Sequence, residues 1–169
     1  MAILVTGIST RADGFTLLEV MVTLVLIGII TTFAVLAVPG GSDDRADQEL
    51  RRLRALIELN HQQALLRSEQ RGIQFGPDSY RFMTLGESWQ TDGERKLPNG
   101  LALAVSVEGQ SLDLGQSPVD RPQVLLLSSG ELTEFTVKIA RADTAGFTTE
   151  PRQQLSGELT GRLTVTAIP

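Results

Sequence analysis

The sequence contains no cysteine, which excludes disulfide bonds, thiolate metal ligands and cysteine nucleophiles. It has a single histidine, His61, so a three-histidine zinc site is impossible. There is no Gly-x-Ser-x-Gly element of a serine hydrolase and no glycine-rich phosphate loop. We therefore predict that the protein is not an enzyme, with no catalytic residues, no metal site, no cofactor and no small-molecule substrate.

Positive charge is also scarce, with 15 Lys and Arg against 20 Asp and Glu, a net charge of -5. Only Arg51, Arg52 and Arg54 are clustered, whereas a nucleic-acid-binding protein needs a basic stripe. We expect no nucleic-acid partner. The arginine cluster fits a solvated helix face better than a contact with anionic lipid headgroups. The acidic residues within 43–47 lack the glycine and the distal glutamate of a calcium loop, and we interpret them as helix-capping residues.

The prominent feature of the chain is an apolar run from Phe15 to Val38, in which Glu19 is the one charged residue. A helix over 15–38 would be about 36 Å long, enough to cross a hydrocarbon core of about 30 Å. Apolar residues occupy all sides of this helix, unlike those of an amphipathic surface helix. Pro39 and two glycines follow and end the run. We expect 15–38 to be a transmembrane helix.

Glu19 needs a partner, because a carboxylate is costly in lipid and no Lys, Arg or His lies between Phe15 and Asp44. Cleavage before Phe15 would create an α-amino group about 6 Å away along the helix axis. Two simpler interpretations compete. A secretory signal peptide could end at Ala37, although such peptides need only about 7–15 apolar residues. An ordinary membrane anchor would leave Glu19 without a role.

The six residues from Gly14 to Glu19, Gly-Phe-Thr-Leu-Leu-Glu, resemble the processing motif of type IV prepilins and type II secretion pseudoprepilins. The resemblance implies that 1–14 is a leader peptide, which prepilin peptidase removes by cleavage after Gly14. It also implies that Phe15 becomes the N-methylated terminus. Glu19 would then be the assembly carboxylate, which pairs with the N-terminus of an adjacent subunit.

The same resemblance implies an inner-membrane protein with one span and a periplasmic body. Its expected partners are prepilin peptidase, the major pseudopilin and the minor pseudopilins of the tip. The arginines that follow the span would by themselves predict the opposite orientation. We follow the motif, because the peptidase acts on the cytoplasmic side. A minor pilin of type IV pilus biogenesis is the alternative, since its N-terminal helix would be the same.

Beyond the glycines, apolar residues recur at helical spacing, which predicts an amphipathic helix over 42–70. The residues of its apolar stripe are Ala46, Leu50, Leu53, Ile57 and Ala64. The remainder, 71–169, is predicted to form a periplasmic body rich in β-structure, with six or seven short strands in two sheets. The fold class is therefore α+β: a long N-terminal helix, half membrane stem and half amphipathic, packed on an antiparallel body like a β-sandwich.

Within this body, Gly72–Phe75 and Tyr80–Met83 form an expected hairpin. We interpret 85–96 as a polar loop. We interpret 141–158 as a long polar connection that forms a mobile hairpin or an excursion, and both segments are candidate partner contacts. The loop contains Trp89, the only tryptophan, which either contacts a partner or covers an open sheet edge. The strand order, with Leu-Pro-Asn-Gly-Leu at 97–101, resembles H-type minor pseudopilins. That resemblance implies a subunit that links the pseudopilus tip to its shaft.

Overall fold

The computed structural model describes residues 16–37, 42–116, 120–143 and 146–168. They form two compact units that divide after Pro39. The first unit contains helix α1, Leu17–Ala37, whose described side chains, up to Ile29, are all exposed. In these residues no helix has both the length and the apolar character needed to cross a membrane. The predicted leader 1–14 and both ends of the predicted span 15–38 lie outside the described residues.

The second unit opens with helix α2, Ser42–Arg67. The predicted stripe on this helix is buried, which confirms its amphipathic character. The helix ends at Arg67 rather than at the predicted Gln70. Ser68 has a φ of 54°, and the Glu69 amide donates to the Ala64 carbonyl at 3.1 Å, which is the Schellman arrangement. No glycine follows the last residue of the helix, so the pattern of apolar residues alone predicted a helix that is three residues too long.

Ten strands follow within the described residues, more than the six or seven expected, because several are only two or three residues long. Their bounds are β1 Arg71–Phe75, β2 Ser79–Leu85, β3 Trp89–Lys96, β4 Leu101–Val107, β5 Gln110–Ser111, β6 Val124–Leu126, β7 Phe135–Asp143, β8 Gly146–Phe147, β9 Gln153–Gly157 and β10 Leu163–Ala167.

The strands build two antiparallel sheets. One sheet has four strands in the order β3-β2-β1-β6, and the other has the order β10-β9-β7-β4-β5, with β8 paired to β7. Helix α2 packs on both sheets, and its buried stripe joins their apolar side chains in one core. Ile73, Val124, Val137 and Leu155 lie fully buried in it. This arrangement confirms the predicted α+β class with a two-sheet body.

The predicted loop 85–96 is wrong, and the predicted connection 141–158 is largely strand, with β7 and β8 paired as a short hairpin. Most of the expected loop 85–96 is strand β3, which pairs with β2 from Leu85↔Trp89 to Ser79↔Lys96. Most of the expected connection 141–158 consists of the end of β7, the short β8 and the whole of β9. Both segments are polar, and β3 is an edge strand, so neither shows the apolar alternation by which a half-buried strand is recognised.

Candidate functional site

The assembly segment begins in the described residues at Thr16, since the predicted processing residues Gly14 and Phe15 lie outside them. Thr16 caps α1: its Oγ1 accepts a hydrogen bond from the Glu19 amide at 3.2 Å. The Thr16 carbonyl accepts the first helical bond, from Val20, at 3.2 Å. Thr16 and Glu19 thus occupy the N-cap and N3 positions of the helix, joined by the bond from the N3 amide to the N-cap hydroxyl. This relationship was not predicted, although the Thr-x-x-Glu spacing indicates it.

Glu19 lies on the exposed surface of α1, in the first turn. A carboxylate at this end of a helix interacts favourably with the unpaired amides and the positive end of the helix dipole. Around it, the apolar side chains are also exposed: Leu17 is 79% exposed and Leu18 is 72% exposed. The described part of α1 therefore has one acid in its first turn and exposed apolar side chains around it.

Trp89 opens the edge strand β3, opposite Leu85 on β2, and it is partly buried. This position places an aromatic side chain on the edge strand of the four-stranded sheet. Its candidate role as a partner contact stays a prediction.

The body contains a buried polar cluster that the sequence analysis missed. Glu49, on α2, is 4% exposed, and its carboxylate accepts hydrogen bonds from Arg95 on β3 and from the Tyr80 hydroxyl on β2, the latter at 3.1 Å. Arg95 and Glu49 are 46 positions apart in the chain, and nothing in the local sequence pairs them. These hydrogen bonds connect α2 to the β2–β3 hairpin.

The pKa of Glu49 reflects this environment. Burial alone raises the pKa of the carboxyl group, but the hydrogen bonds from Arg95 and Tyr80, together with the charges of Arg95 and Arg52, outweigh burial and bring the pKa below its ordinary value. Burial also raises the pKa of the Tyr80 hydroxyl, and the neighbouring Glu49 charge adds to that rise. The carboxylate is therefore charged and the tyrosine neutral at physiological pH, which is a structural arrangement rather than one poised for proton transfer.

A cavity of about 350 Å³ lies between α2 and the β2–β3 hairpin. At its side Arg71 is 8% exposed and donates to the Asn60 Oδ1 at 2.5 Å. The charges that line the cavity balance, with Arg71 and Arg95 on one side and Asp92 and Glu94 on the other. The lining therefore favours neither anions nor cations. Among the described residues, no group of three potential ligands could hold a metal ion.

His61 also has a structural role. Its Nε2 lies 2.9 Å from the Gly130 carbonyl oxygen, and because a carbonyl only accepts, the imidazole donates this hydrogen bond. The bond fixes α2 to the turn between β6 and β7. At Gly161, which follows β9, a Cβ would come within 2.6 Å of the imidazole, so the backbone there needs glycine for close approach.

At the N-terminus, residues 9–35 match the prokaryotic N-terminal methylation motif. The chain superposes on the crystal structure of the minor pseudopilin EpsH from the type II secretion system of Vibrio cholerae. The TM-score is 0.64 at 22% identity, over 75% of this chain and 99% of that one. The solution structure of Escherichia coli GspH gives 0.59 at 21% identity, over 78% and 94%. The motif and the fold together define a pilin-like protein.

Relatives of known function identify the family within this class of pilin-like proteins. The chain is 33% identical to type II secretion system protein H of Pseudomonas aeruginosa over 147 residues, 79% of this chain and 86% of the relative. It is 31% identical to the protein of the same name from Klebsiella pneumoniae over 157 residues, 81% and 91% of the two chains. The chain belongs to the type II secretion system protein H family. The resemblance to H-type minor pseudopilins is thus confirmed, and the type IV pilus alternative is not favoured.

Proposed function

We propose that the protein is a minor pseudopilin subunit of the type II secretion pseudopilus, with no enzymatic activity of its own. It is anchored in the inner membrane by the helix over 15–38 and carries its body, 71–169, in the periplasm. There it assembles with the major pseudopilin and the minor tip pseudopilins, and it links the tip complex to the shaft during export of folded proteins across the outer membrane. The observation that carries this proposal is the 33% identity over most of the chain to a type II secretion protein H.

In this proposal, prepilin peptidase cleaves between Gly14 and Phe15 and methylates the new terminus. The cut leaves Thr16 as the second residue of the mature chain, directly before α1, and Glu19 in the first turn. A free amine at Phe15 can then neutralise the carboxylate of Glu19 on an adjacent subunit, which removes the cost of an unpaired charge in lipid. The exposed apolar surface of α1 supports a role as the surface that contacts lipid and neighbouring helices.

Replacement of Glu19 tests this mechanism. We expect Glu19→Ala to insert in the membrane normally but to be recovered with partner pseudopilins in strongly reduced amount, and Glu19→Asp to retain part of the wild-type recovery. The measurement is affinity isolation of the tagged full chain from membranes in which the other pseudopilins are expressed. Equal recovery of partners by Glu19→Ala and wild type would refute the assembly role.

Trp89 remains a second, separate candidate for partner contact. As the only tryptophan, it reports on its own surroundings through its fluorescence. If Trp89 contacts a partner pseudopilin, its emission shifts to shorter wavelength when the partner binds, because the indole leaves water. An unchanged emission maximum in the bound state would assign Trp89 to covering the sheet edge.

A further inference from the structure

An Asn-Gly pair occurs once in the sequence, at Asn99 and Gly100, in the turn that leads into β4. Both residues are exposed, whereas Leu97 before the turn and Leu101 after it are each 7% exposed. The two leucines hold the base of the turn in the core and leave its tip in water. The proposed function gives this pair no role.

The backbone of the turn has type II geometry. The Leu101 amide donates to the Pro98 carbonyl at 3.2 Å, which closes the turn. Gly100 has a φ of 81°, whereas the φ of Asn99 is not positive. The Gly100 carbonyl accepts a hydrogen bond from the Ala142 amide at 3.0 Å, but its own amide donates to none of the residues that the structure describes. The Gly100 nitrogen is therefore available for reaction.

The space around this nitrogen is open. A Cβ at Gly100 would meet no atom within 4 Å, and the glycine has no side chain to hinder approach of the Asn99 amide. In a type II turn, the second residue has a ψ of about +120°, which directs the next nitrogen away from its side chain. The turn must therefore open before the two groups meet. One hydrogen bond closes it, and exposed loops open at little cost in free energy.

We propose that Asn99 is a site of spontaneous deamidation, at which the chain converts its own side-chain amide into a carboxylate. The Gly100 nitrogen attacks the Cγ of Asn99 and forms a new C–N bond. The bond from Cγ to the side-chain nitrogen breaks, and that nitrogen leaves as ammonia with the proton that the Gly100 nitrogen gives up. The product is a five-membered succinimide ring in the backbone.

Water then opens the ring. It adds to one of the two ring carbonyl carbons, and the C–N bond to that carbon breaks while the Gly100 nitrogen regains a proton. Opening at Cγ gives aspartate with an ordinary backbone. Opening at the backbone carbonyl gives isoaspartate, in which the main chain runs through the former side chain. Overall one water is consumed and one ammonia is released, with no oxidant or reductant, and the chain gains a negative charge.

Isoaspartate lengthens the backbone of the turn by one carbon. The hydrogen bonds from Leu101 to Pro98 and from Ala142 to Gly100 both involve this turn. Leu101 is also the first residue of β4 and pairs with Arg141 on β7. The added carbon shifts these groups against one another. We therefore expect isoaspartate to loosen the start of β4, while the rest of the strand stays paired with β7.

Asn60, the other asparagine of the sequence, is the internal control. It is 8% exposed, its Nδ2 donates to the Leu56 carbonyl at 2.8 Å, and its Oδ1 accepts a hydrogen bond from Arg71. The next residue, His61, lies inside α2, where the backbone amides are held by helical hydrogen bonds. Asn60 should therefore remain an amide as long as the body is folded.

Incubation of the purified full chain in water enriched in heavy oxygen tests the site, because the water that opens the ring leaves its oxygen in the new carboxylate. The chain is kept in detergent at mildly alkaline pH and then digested in ordinary water, so that reaction during digestion adds no label. Tandem mass spectrometry compares the peptides that contain Asn99 and Asn60 and distinguishes isoaspartate from aspartate. The Asn99→Gln variant is the matched control, because its longer side chain would have to close a less favourable six-membered ring.

We expect Asn99 to take up label at least about tenfold faster than Asn60, with isoaspartate as the larger product, and the Asn99→Gln variant to take up none at this position. An unlabelled Asn99, or equal labelling of Asn99 and Asn60, would overturn the inference. Labelled aspartate without isoaspartate would also overturn it, since water would then have attacked the amide directly. None of these outcomes depends on partner proteins, so the proposed function is tested separately.

The Asn99→Asp variant separates the new charge from the added carbon, because it carries the carboxylate on an ordinary backbone. The incubated wild type should unfold at a lower temperature than fresh Asn99→Asp, and Asn99→Gln incubated in parallel accounts for any other change. Equal thermal midpoints for the incubated wild type and Asn99→Asp would overturn the expected loosening of β4.

Discussion

Gly157 on β9 lies directly across from Phe135 on β7, and a Cβ at Gly157 would overlap the phenyl ring. Phe135 is almost completely buried, at the end of the core that joins the larger sheet to α2. The aromatic ring thus covers the glycine, in the way that bulky side chains fill the space above a glycine in a neighbouring strand. This contact helps to hold β9 in the sheet although Leu155 is its only fully buried apolar side chain.

Replacement of Gly157 by alanine should therefore destabilise the body. Overpacking of a buried site costs about 1–3 kcal/mol in the free energy of unfolding, since the ring of Phe135 must move. The control is Gly93→Ala on the edge strand β3, where a Cβ meets no atom within 4 Å. Urea unfolding of the full chain in detergent, followed by Trp89 fluorescence, compares the two. Equal midpoints for both variants would contradict the contact.

Removal of the Glu49 carboxylate should also destabilise the body. Arg95 donates to it from Nε at 2.5 Å and from Nη2 at 3.0 Å, and Glu49→Ala leaves both donors and the Tyr80 hydroxyl without their acceptor. We expect a loss of about 3 kcal/mol in the free energy of unfolding, near the low end for a broken buried pair because Arg95 is partly exposed. Glu58→Ala, at an exposed position of α2, should change it by less than about 0.5 kcal/mol.

The stability contributed by Glu49 should depend on pH in a defined direction. Its folded pKa lies below the ordinary 4.5, so the charged carboxylate stabilises the fold above that pH. The contribution is lost as the pH falls through the lowered folded pKa. The difference in unfolding free energy between wild type and Glu49→Gln should therefore be constant near neutral pH and shrink below about pH 4.5. Urea unfolding at a series of pH values measures this difference, and a constant difference down to pH 3 would contradict the assignment.

The buried stripe of α2 and the first hairpin were predictable, because apolar periodicity and turn residues are local properties. Phe75 and Tyr80 flank the predicted turn and pair across it as expected. The two-sheet body was predicted from several short strand patterns that follow one another along the chain.

The missed features depend on distant partners. Strand β3 is polar because it lies at a sheet edge. It is held in the sheet by its pairing with β2, which no apolar pattern in β3 indicates. No local pattern indicated that Glu49 is buried, because its partner Arg95 lies 46 positions further along the chain. At the N-terminus, the motif from Gly14 to Glu19 was recognisable without any structure, since its chemistry is read from a short linear segment.

The mass of the purified mature protein tests the central claim most directly. Isolated from bacterial membranes that contain an active prepilin peptidase, the chain should begin at Phe15 and carry one methyl group on its α-amino nitrogen. Tandem mass spectrometry of the N-terminal peptide locates both. A chain that begins at Val38 would show a secretory signal peptide, and one that retains Met1 would show an ordinary anchor; either result would contradict processing and assembly through Glu19.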